Sequence, residues 1–236
     1  MQIVPNVFLV NGFPYGQHQN SYVVRLGDAL VMIDSGDLLT DTFSLVQSNC
    51  TIWNIRLSQL SYLFLTHAHF DHASHAAKIQ RMGARIVANQ DGAEAVASGD
   101  DRCIGYAVHR SFQPCKVDRV VHDGEEIEIS GSIIRCIEAP GHANSSVIYE
   151  VILDGRRLWF VGDVILTGQE CQSVELGWNG GPDYDRRAYR ATLARLCHME
   201  CDCLFPGHGP PCLGNGKRLV EMAYTKAKAK GVSPGI

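Results

Sequence analysis

Short apolar runs bounded by glycine and polar turn residues recur along the chain, and this pattern predicts strands. The run at positions 29–33 is apolar throughout and stops at Asp34-Ser35-Gly36. A continuous apolar run of this length is typical of a buried strand. Strands are predicted in this way at residues 4–10, 22–26, 29–33, 62–65, 85–88, 126–129, 132–137, 147–153, 158–161 and 203–205.

Segments between these strands predict helices. They span residues 38–47, 73–82, 185–197 and 216–230. Strands and helices together form two similar halves of a single domain over residues 1–236, roughly 1–98 and 115–236, and residues 98–114 and 167–183 are predicted to be long loops. Two groups of strands, each with its own helices, favour an α/β fold in which helices lie outside two packed sheets.

The composition of the 236 residues is that of an ordinary globular protein, with 45% hydrophobic and 19% charged residues. The net charge of −4 argues against nucleic acid as the main partner, because phosphate binding needs a concentrated basic surface. No apolar run approaches the roughly 18–20 residues of a membrane span, and the first residues lack the features of a secretory signal. We therefore expect a soluble cytoplasmic protein that acts on a small-molecule substrate without a nucleic-acid or membrane partner, with a homodimer as one possible assembly.

Nine cysteines are scattered along the chain, and no export signal accompanies them. An odd count in a chain of this length favours reduced intracellular thiols over a disulfide framework. Cys197, Cys201, Cys203 and Cys212 lie close together in sequence, but their spacing is not that of a paired-cysteine zinc site. We therefore interpret these cysteines as small buried hydrophobic residues.

The segment Thr66-His67-Ala68-His69-Phe70-Asp71-His72 holds four metal-competent side chains between a predicted strand and a predicted helix. Neutral imidazole is a good ligand for zinc, and a carboxylate is its common companion in hydrolytic sites. Three imidazoles and a carboxylate packed this closely without a metal would leave desolvated polar groups without partners. The segment therefore predicts a metal site.

Three further segments place a histidine or an aspartate directly after a predicted strand. They are Pro140-Gly141-His142, Gly162-Asp163 and Pro206-Gly207-His208. Each alone is a weak signal that could mark a mere turn, but with the first segment they make a strong one. The glycine before Asp163 is expected to permit a close approach of the backbone.

In these motifs, THAHFDH at 66–72, PGH at 140–142, GD at 162–163 and PGHG at 206–209, the sequence resembles the metallo-β-lactamase fold superfamily. Within it the chain looks most like the glyoxalase II-like and lactonase-like metallohydrolases. Asn20-Ser21-Tyr22 and Ile33-Asp34-Ser35-Gly36 also resemble early strands of that family. The resemblance implies a four-layer αβ/βα sandwich, with two mixed sheets packed face to face, helices outside and the site at one edge.

The resemblance also implies a dinuclear site, with two Zn²⁺ as the expected cofactors and Fe or Mn as possible substitutes. One metal would be bound by His67, His69 and His142, the other by Asp71, His72 and His208, and Asp163 would bridge both. A hydroxide between the metals would attack the carbonyl of a thioester, an ester or a lactone. Asp71 would act as the catalytic residue that orients the nucleophile and passes its proton to the leaving group. Asp34 would hold a metal-bound histidine in one orientation.

Two alternatives remain open at this point. A related enzyme type uses one iron to oxidise persulfides, and the same imidazoles suit iron and zinc. A β-lactamase is the other alternative, with Arg186 or Arg187 available to bind a lactam carboxylate. Phe13, Tyr15 and Trp178, in the loops, are candidates to line a substrate pocket, and ordinary loop packing is the other interpretation of these three residues.

Overall fold

The computed structural model describes residues 1–15, 18–36 and 42–229, and within these ranges it contains fourteen strands and six α-helices. The strands are β1 (Gln2–Val4), β2 (Val7–Asn11), β3 (Ser21–Leu26), β4 (Ala29–Ile33), β5 (Leu60–Phe64), β6 (Arg85–Asn89), β7 (Arg119–Val121), β8 (Glu126–Ile129), β9 (Ser132–Glu138), β10 (Val147–Leu153), β11 (Arg156–Gly162), β12 (Leu166–Thr167), β13 (Val174–Glu175) and β14 (Cys203–Pro206). The helices are α1 (Thr42–Ile52), α2 (Phe70–Ala73), α3 (Ala76–Arg81), α4 (Gln90–Ser98), α5 (Arg186–Leu196) and α6 (Gly216–Ala229).

Two mixed sheets form the centre of the fold. The first has seven strands in the order β1-β2-β3-β4-β5-β6-β7, antiparallel from β1 to β4 and parallel from β4 to β7. The second has five strands in the order β14-β11-β10-β9-β8, and only the β11–β14 pair is parallel. Strands β12 and β13 form a separate two-stranded ribbon.

Three apolar clusters show that the layers are helix, sheet, sheet and helix. Alternation along β2 shows the principle: Val7 and Leu9 face the second sheet, whereas Phe8 and Val10 face the helices. One cluster joins the first sheet to α1, α3 and α4, one lies between the sheets, and one joins the second sheet to α5 and α6. Both faces of each sheet are covered, which explains the continuous apolar runs in the sequence. The expected four-layer αβ/βα sandwich is confirmed.

Some elements differ from the sequence-based expectation. The first predicted strand is broken by a turn at Asn6, which has a φ of +66°, so β1 and β2 pair with each other. The helix predicted for residues 73–82 is two short helices that meet at Ser74 and His75. No element was predicted for residues 90–98, where the side chain of Asn89 caps α4 by accepting a hydrogen bond from the backbone N–H of Gly92. Residues 38–41 of the first predicted helix lie outside the described residues, and α1 continues to Ile52.

The thiols also depart in part from expectation. Cys171 and Cys212 form a disulfide, with their Cα atoms 5.9 Å apart, in place of two reduced thiols. They are 41 residues apart and meet because two loops pack together, which spacing in the sequence does not reveal. Cys201 and Cys203 are buried free cysteines, as interpreted. No helix in the described ranges is both long and apolar enough to cross a membrane.

Candidate metal centre

The predicted metal-binding segments all follow strands that end at the same edge of the sandwich. The segment 66–72 follows β5, which runs parallel to β4, and Asp34 follows β4. Asp163 follows β11 and His208 follows β14, which is parallel to β11. Because parallel strands end at one edge, segments far apart in sequence meet there.

The imidazoles of His67, His69 and His142 converge at this edge. Nε2 of His142 lies 3.3 Å from Nε2 of His67 and 3.1 Å from Nδ1 of His69. His142 follows β9 of the second sheet, so the three rings join the two sheets. All three side chains are buried. We refer to these residues as the first triad.

Asp71, His72 and His208 form a second triad beside the first. Oδ2 of Asp71 lies 3.1 Å from Nε2 of His208 and 3.5 Å from Nε2 of His72. The side chains of Asp71 and His208 are 28% and 26% exposed, whereas the first triad is buried. The second triad is therefore the side of the centre that solvent and a substrate can reach.

Asp163 lies between the two triads. Its Oδ1 is 3.3 Å from Nε2 of His72, and its Oδ2 is 3.5 Å from Nε2 of His208 and 3.8 Å from Nε2 of His142. The preceding Gly162 has a φ of +49°, and a Cβ atom there would lie 2.4 Å from Oγ1 of Thr66. Only glycine lets β11 approach the end of β5 this closely, as the sequence predicted.

Hydrogen bonds on the outer side of two rings determine which nitrogen faces the centre. Nδ1 of His142 donates to the carbonyl oxygen of Trp178 at 3.0 Å, and Nδ1 of His208 donates to the carbonyl oxygen of His18 at 3.0 Å. A carbonyl oxygen can only accept a hydrogen bond, so each Nδ1 carries a proton. In the neutral ring, each Nε2 then presents its lone pair to the centre.

Asp34 gives two more rings the same orientation. Its Oδ2 accepts a hydrogen bond from Nδ1 of His72 at 2.8 Å and another from the hydroxyl of Thr66 at 2.7 Å. Because that hydroxyl proton is directed to Asp34, Nδ1 of His67 donates to Oγ1 of Thr66 at 3.1 Å. Asp34 itself is held by the backbone N–H of Thr66 and has a φ of +56°. Asp34 therefore lies behind the ring of His72 and holds it in one orientation.

The donor set fits a divalent metal ion. Nε2 of His67 and Nε2 of His142 present lone pairs to each other at 3.3 Å, a repulsive arrangement unless a cation or a proton lies between them. Two nitrogens bound at 2.0–2.1 Å to one tetrahedral zinc ion are about 3.3 Å apart. Nε2 of His72 and Oδ1 of Asp163 are buried, and neither has a hydrogen-bond partner among the described residues. Buried polar atoms are rarely left in this state.

The first triad is electrically neutral at physiological pH. Burial lowers the pKa of His69 to about 3, and it lowers the pKa of His67 and of His142 as well. For His67 the neighbouring imidazoles act in the same direction. Burial disfavours the protonated ring, so these nitrogens are in the form that binds a metal.

The second triad has the opposite electrostatics. Burial opposes the charge on His72, but the carboxylates of Asp71, Asp163 and Asp34 outweigh burial and raise the pKa of His72 well above its ordinary value. Asp163 and Asp71 likewise raise the pKa of His208 against the effect of burial. Although burial alone would raise the pKa of Asp71 and of Asp163, the histidines hold both well below the usual range. Both carboxyl groups are therefore ionised.

Tyr15 and Trp178, the two substrate-pocket candidates whose side chains are described, contact different parts of the molecule. Trp178 is 47% exposed, and its backbone carbonyl contacts His142, so this residue lies beside the first triad. The hydroxyl of Tyr15 donates to the carbonyl oxygen of Leu9 at 3.1 Å and so bonds to the N-terminal strands. The side chain of Phe13 lies outside the described part of the structure. A role in substrate binding stays a prediction for all three.

Two residues at the centre were not indicated by sequence patterns. The hydroxyl of Tyr189, on α5, donates to the carbonyl oxygen of Val164 at 2.7 Å and accepts from the N–H of Gly177 at 3.0 Å. Oδ1 of Asp183 and Nε2 of His69 are both buried without a hydrogen-bond partner within the described ranges, and both lie within 3.6 Å of the point where a Cβ on Gly181 would be. A metal-bound histidine commonly donates its other N–H to a carboxylate, so Asp183 is a candidate to orient His69.

Comparisons with known proteins agree with this geometry. The sequence profile of the metallo-beta-lactamase superfamily matches residues 14–208. The atrochrysone carboxyl ACP thioesterase AgnL7 of Paecilomyces divaricatus is 28% identical and aligns with 97% of this chain and 64% of its own length. The lactamase-like protein ptaB of Pestalotiopsis fici is 26% identical, with 98% and 64% covered. The chain thus spans less than two thirds of the length of these curated relatives.

Solved structures share the fold. BJP-1, a subclass B3 metallo-beta-lactamase of Bradyrhizobium japonicum, superposes with a TM-score of 0.79 at 21% sequence identity, covering 98% of this chain and 91% of that one. A metallo-beta-lactamase of Cronobacter sakazakii also has a TM-score of 0.79, at 22% identity, with 98% and 92% covered. Identity at this level supports the architecture alone. With a profile match over most of its length and the same architecture, the chain belongs to the metallo-beta-lactamase superfamily.

Proposed function

We propose that the chain is a dinuclear metal-dependent hydrolase that cleaves acyl thioesters. The observation that carries the proposal is the position of Asp163 between the two triads. Its Oδ2 lies 3.8 Å from Nε2 of His142 in the first triad and 3.5 Å from Nε2 of His208 in the second, and its Oδ1 lies 3.3 Å from Nε2 of His72. A single carboxylate between two triads of ligands suits a pair of metal ions better than one. His67, His69 and His142 would hold one ion, and Asp71, His72 and His208 would hold the other.

When bound, divalent ions such as zinc supply a nucleophile at neutral pH by acidifying a water molecule, and they polarise the carbonyl of the substrate. The chain contributes the orientation of the ligands through Asp34 and the carbonyl oxygens behind the rings. Asp71 stands at the open side of the centre and stays ionised, because the histidines lower its pKa. Its carboxylate can therefore accept a hydrogen bond from the attacking water and orient it.

The ionisation of the carboxylates favours a thioester among the candidate substrates. Because Asp71 and Asp163 are both ionised, neither holds a proton for a strongly basic leaving group. A thiol has a pKa of about 8.5 and leaves readily as a thiolate, whereas an amide nitrogen must be protonated as it leaves. The thioesterase relatives support the same choice. Esters and lactones are the next candidates.

The proposal is tested by metal content and a substrate panel. Protein purified without added metal or chelator is analysed by mass spectrometry for zinc, iron and manganese, and then assayed with octanoyl thioesters, simple esters, acyl lactones and β-lactams. We expect about two zinc ions per chain, with the thioester as the fastest substrate. A single iron with oxygen uptake on persulfides would establish the oxidative alternative instead. Faster turnover of β-lactams than of thioesters would identify a β-lactamase.

The two ions are expected to respond differently to pH. The raised pKa values of His72 and His208 mean that metal binding at the second triad must displace protons, whereas the lowered pKa values of the first triad leave its nitrogens free of protons. Each displaced proton weakens binding by roughly tenfold per pH unit below the ligand's pKa. When the pH falls from about 7.5 to about 6, the affinity of the second triad for its ion should therefore fall much more than the affinity of the first triad. Competition with a chromophoric chelator measures both affinities, and an equal pH dependence would contradict this assignment.

A further inference from the structure

An open groove between α5 and α6 concentrates positive charge on a protein whose net charge is negative. The groove has a volume of about 590 Å³, and it is lined by Arg186, Arg187, Arg190, Ala191, Ala194 and Tyr224. None of these lining residues carries a carboxylate, although the whole chain has a net charge of −4. The ammonium group of Lys228 lies 4.4 Å from the ring centroid of Tyr224 and adds a fourth cation.

The spacing of the arginines directs them to one side of α5. Tyr189, Leu193 and Leu196 form the buried stripe of this helix, whereas Arg187 and Arg190 are exposed. Residues three and four apart are neighbours on a helix surface. From Arg186 to Ala194 the groove therefore extends for about 12 Å along the helix, at a rise of 1.5 Å per residue.

Two of these arginines form no salt bridge with the acidic side chains that the structure describes. Salt bridges of the described residues engage Arg102, Arg119, Arg157 and Arg195, but none engages Arg187 or Arg190. The carboxylate of Asp185 caps the start of the helix by accepting from the backbone N–H groups of Arg187 and Ala188. The guanidinium groups are thus available to an external anionic surface.

The helix that carries the arginines packs directly against the candidate metal centre. The backbone N–H of Asp185 donates to the carbonyl oxygen of Gly141 at 2.9 Å, one residue before His142. A Cβ on Gly141 would lie 2.2 Å from Cα of Tyr189, so helix and loop are in contact. The hydroxyl oxygen of Tyr189 also lies 3.1 Å from the backbone carbonyl oxygen of Asp163. A partner seated along α5 would therefore lie next to the loop that carries His142, close to the metal centre.

We propose that the groove between α5 and α6 docks an acidic carrier protein, which delivers its acyl thioester to the metal centre on a phosphopantetheine arm. The inference rests on the proposed thioesterase function and adds the partner and the surface that recognises it. An acidic helix on the partner complements the arginines, and such complementarity raises the rate of encounter and fixes the orientation of the complex. The thioester on its flexible arm then reaches the neighbouring site without further contact by the carrier.

The test compares the double variant Arg187→Glu/Arg190→Glu with the double variant Arg56→Glu/Arg81→Glu. Arg56 and Arg81 are exposed and lie in the half of the chain that builds the other outer layer, so both variants change the net charge equally. Glutamate at position 187 lies in the first turn of α5, where a negative charge is favourable, so the variant is expected to fold. Circular dichroism and thermal unfolding check that expectation.

Each protein is assayed with three octanoyl thioesters: of a bacterial acyl carrier protein, of coenzyme A and of N-acetylcysteamine. The groove variant should raise KM for the carrier-linked thioester by about tenfold or more, and kcat/KM for the N-acetylcysteamine thioester should change by less than about twofold. The Arg56/Arg81 variant should behave like the parent. Raising the salt concentration from about 0.05 M to about 0.5 M should raise the KM of the parent for the carrier-linked thioester. The KM of the groove variant should stay almost unchanged.

Binding is measured separately, by fluorescence anisotropy with a labelled carrier protein that bears a non-hydrolysable octanoyl amide. This binding measurement does not depend on turnover, so it distinguishes the proposed docking surface from the proposed thioesterase function. If the parent hydrolyses none of the three thioesters yet binds the carrier through the arginines, the thioesterase function fails and the docking surface stands. If the parent hydrolyses all thioesters and the groove variant is unimpaired on the carrier, the docking surface is wrong and the function stands. An equal loss on coenzyme A and carrier thioesters would assign the arginines to phosphate groups and overturn docking of the protein partner.

Discussion

Replacing Asp163 with alanine is expected to remove both metal ions and to lower kcat/KM by about a thousandfold or more, equivalent to roughly 4 kcal/mol. The reason is its position: Oδ2 lies 3.8 Å from Nε2 of His142 in the first triad and 3.5 Å from Nε2 of His208 in the second. Without this carboxylate, the ion at each triad would lose a shared ligand and a neighbouring negative charge. Metal content by mass spectrometry and thioester hydrolysis measure the two effects.

Asp71→Ala is the matched comparison, because Asp71 contacts only the second triad. This variant should keep one ion close to the parent affinity and lose the other, so its metal content should fall to about one per chain. The asparagine variant of Asp163 keeps the shape and one oxygen, and it should retain more metal than the alanine variant. If Asp163→Ala held two ions as tightly as the parent, Asp163 would not be the shared ligand, and the dinuclear proposal would lose its main support.

The architecture could be predicted because local patterns carry most of its information. Apolar runs such as 29–33 marked strands closely, since a strand covered on both faces needs apolar side chains at every position. The predicted start of a helix at residue 185 was also close, since α5 begins at Arg186 and the side chain of Asp185 caps it by accepting from the N–H of Arg187. The predicted element boundaries were wrong where a single residue changes the direction of the backbone. The αL conformation of Asn6 splits the first strand, and the buried His75 separates α2 from α3.

The candidate ligands could also be found, since metal chemistry limits them to a few side chains and they directly follow strands. The groups that orient these ligands could not be predicted from the sequence. The acceptors for Nδ1 of His142 and of His208 are backbone carbonyl oxygens in distant loops, and any residue type supplies such an oxygen. Tyr189 acts through helix packing 26 residues after Asp163, a separation that no local pattern records. The pairing of Cys171 with Cys212 depends on loop packing in the same way.

Gly207→Ala is expected to disrupt the centre by sterics alone. A Cβ at this position would lie 2.3 Å from Oδ1 of Asp163 and 2.6 Å from Cε1 of His72, distances that real Cβ atoms do not reach. The backbone cannot easily move away, because the N–H of Gly207 donates to Gly162 at 2.7 Å and its carbonyl accepts from the N–H of Asn20 at 2.7 Å. The methyl group must therefore displace the carboxylate or the ring. We expect about 1–3 kcal/mol of lost stability, with kcat/KM lower by about a hundredfold.

Gly214→Ala provides the control for this change. A Cβ on Gly214 would have nothing within 4 Å, so the same methyl group should leave metal content and turnover as in the parent. Thermal unfolding of the metal-loaded and the chelated forms separates two effects of the substitution at Gly207. If the methyl acts on the ligands, the stabilisation that metal gives the parent should shrink in Gly207→Ala and persist in Gly214→Ala. Equal stabilisation by metal in both variants would mean that Asp163 and His72 can shift away from the methyl group and still bind metal. Close packing at Gly207 would then not control the geometry of the centre.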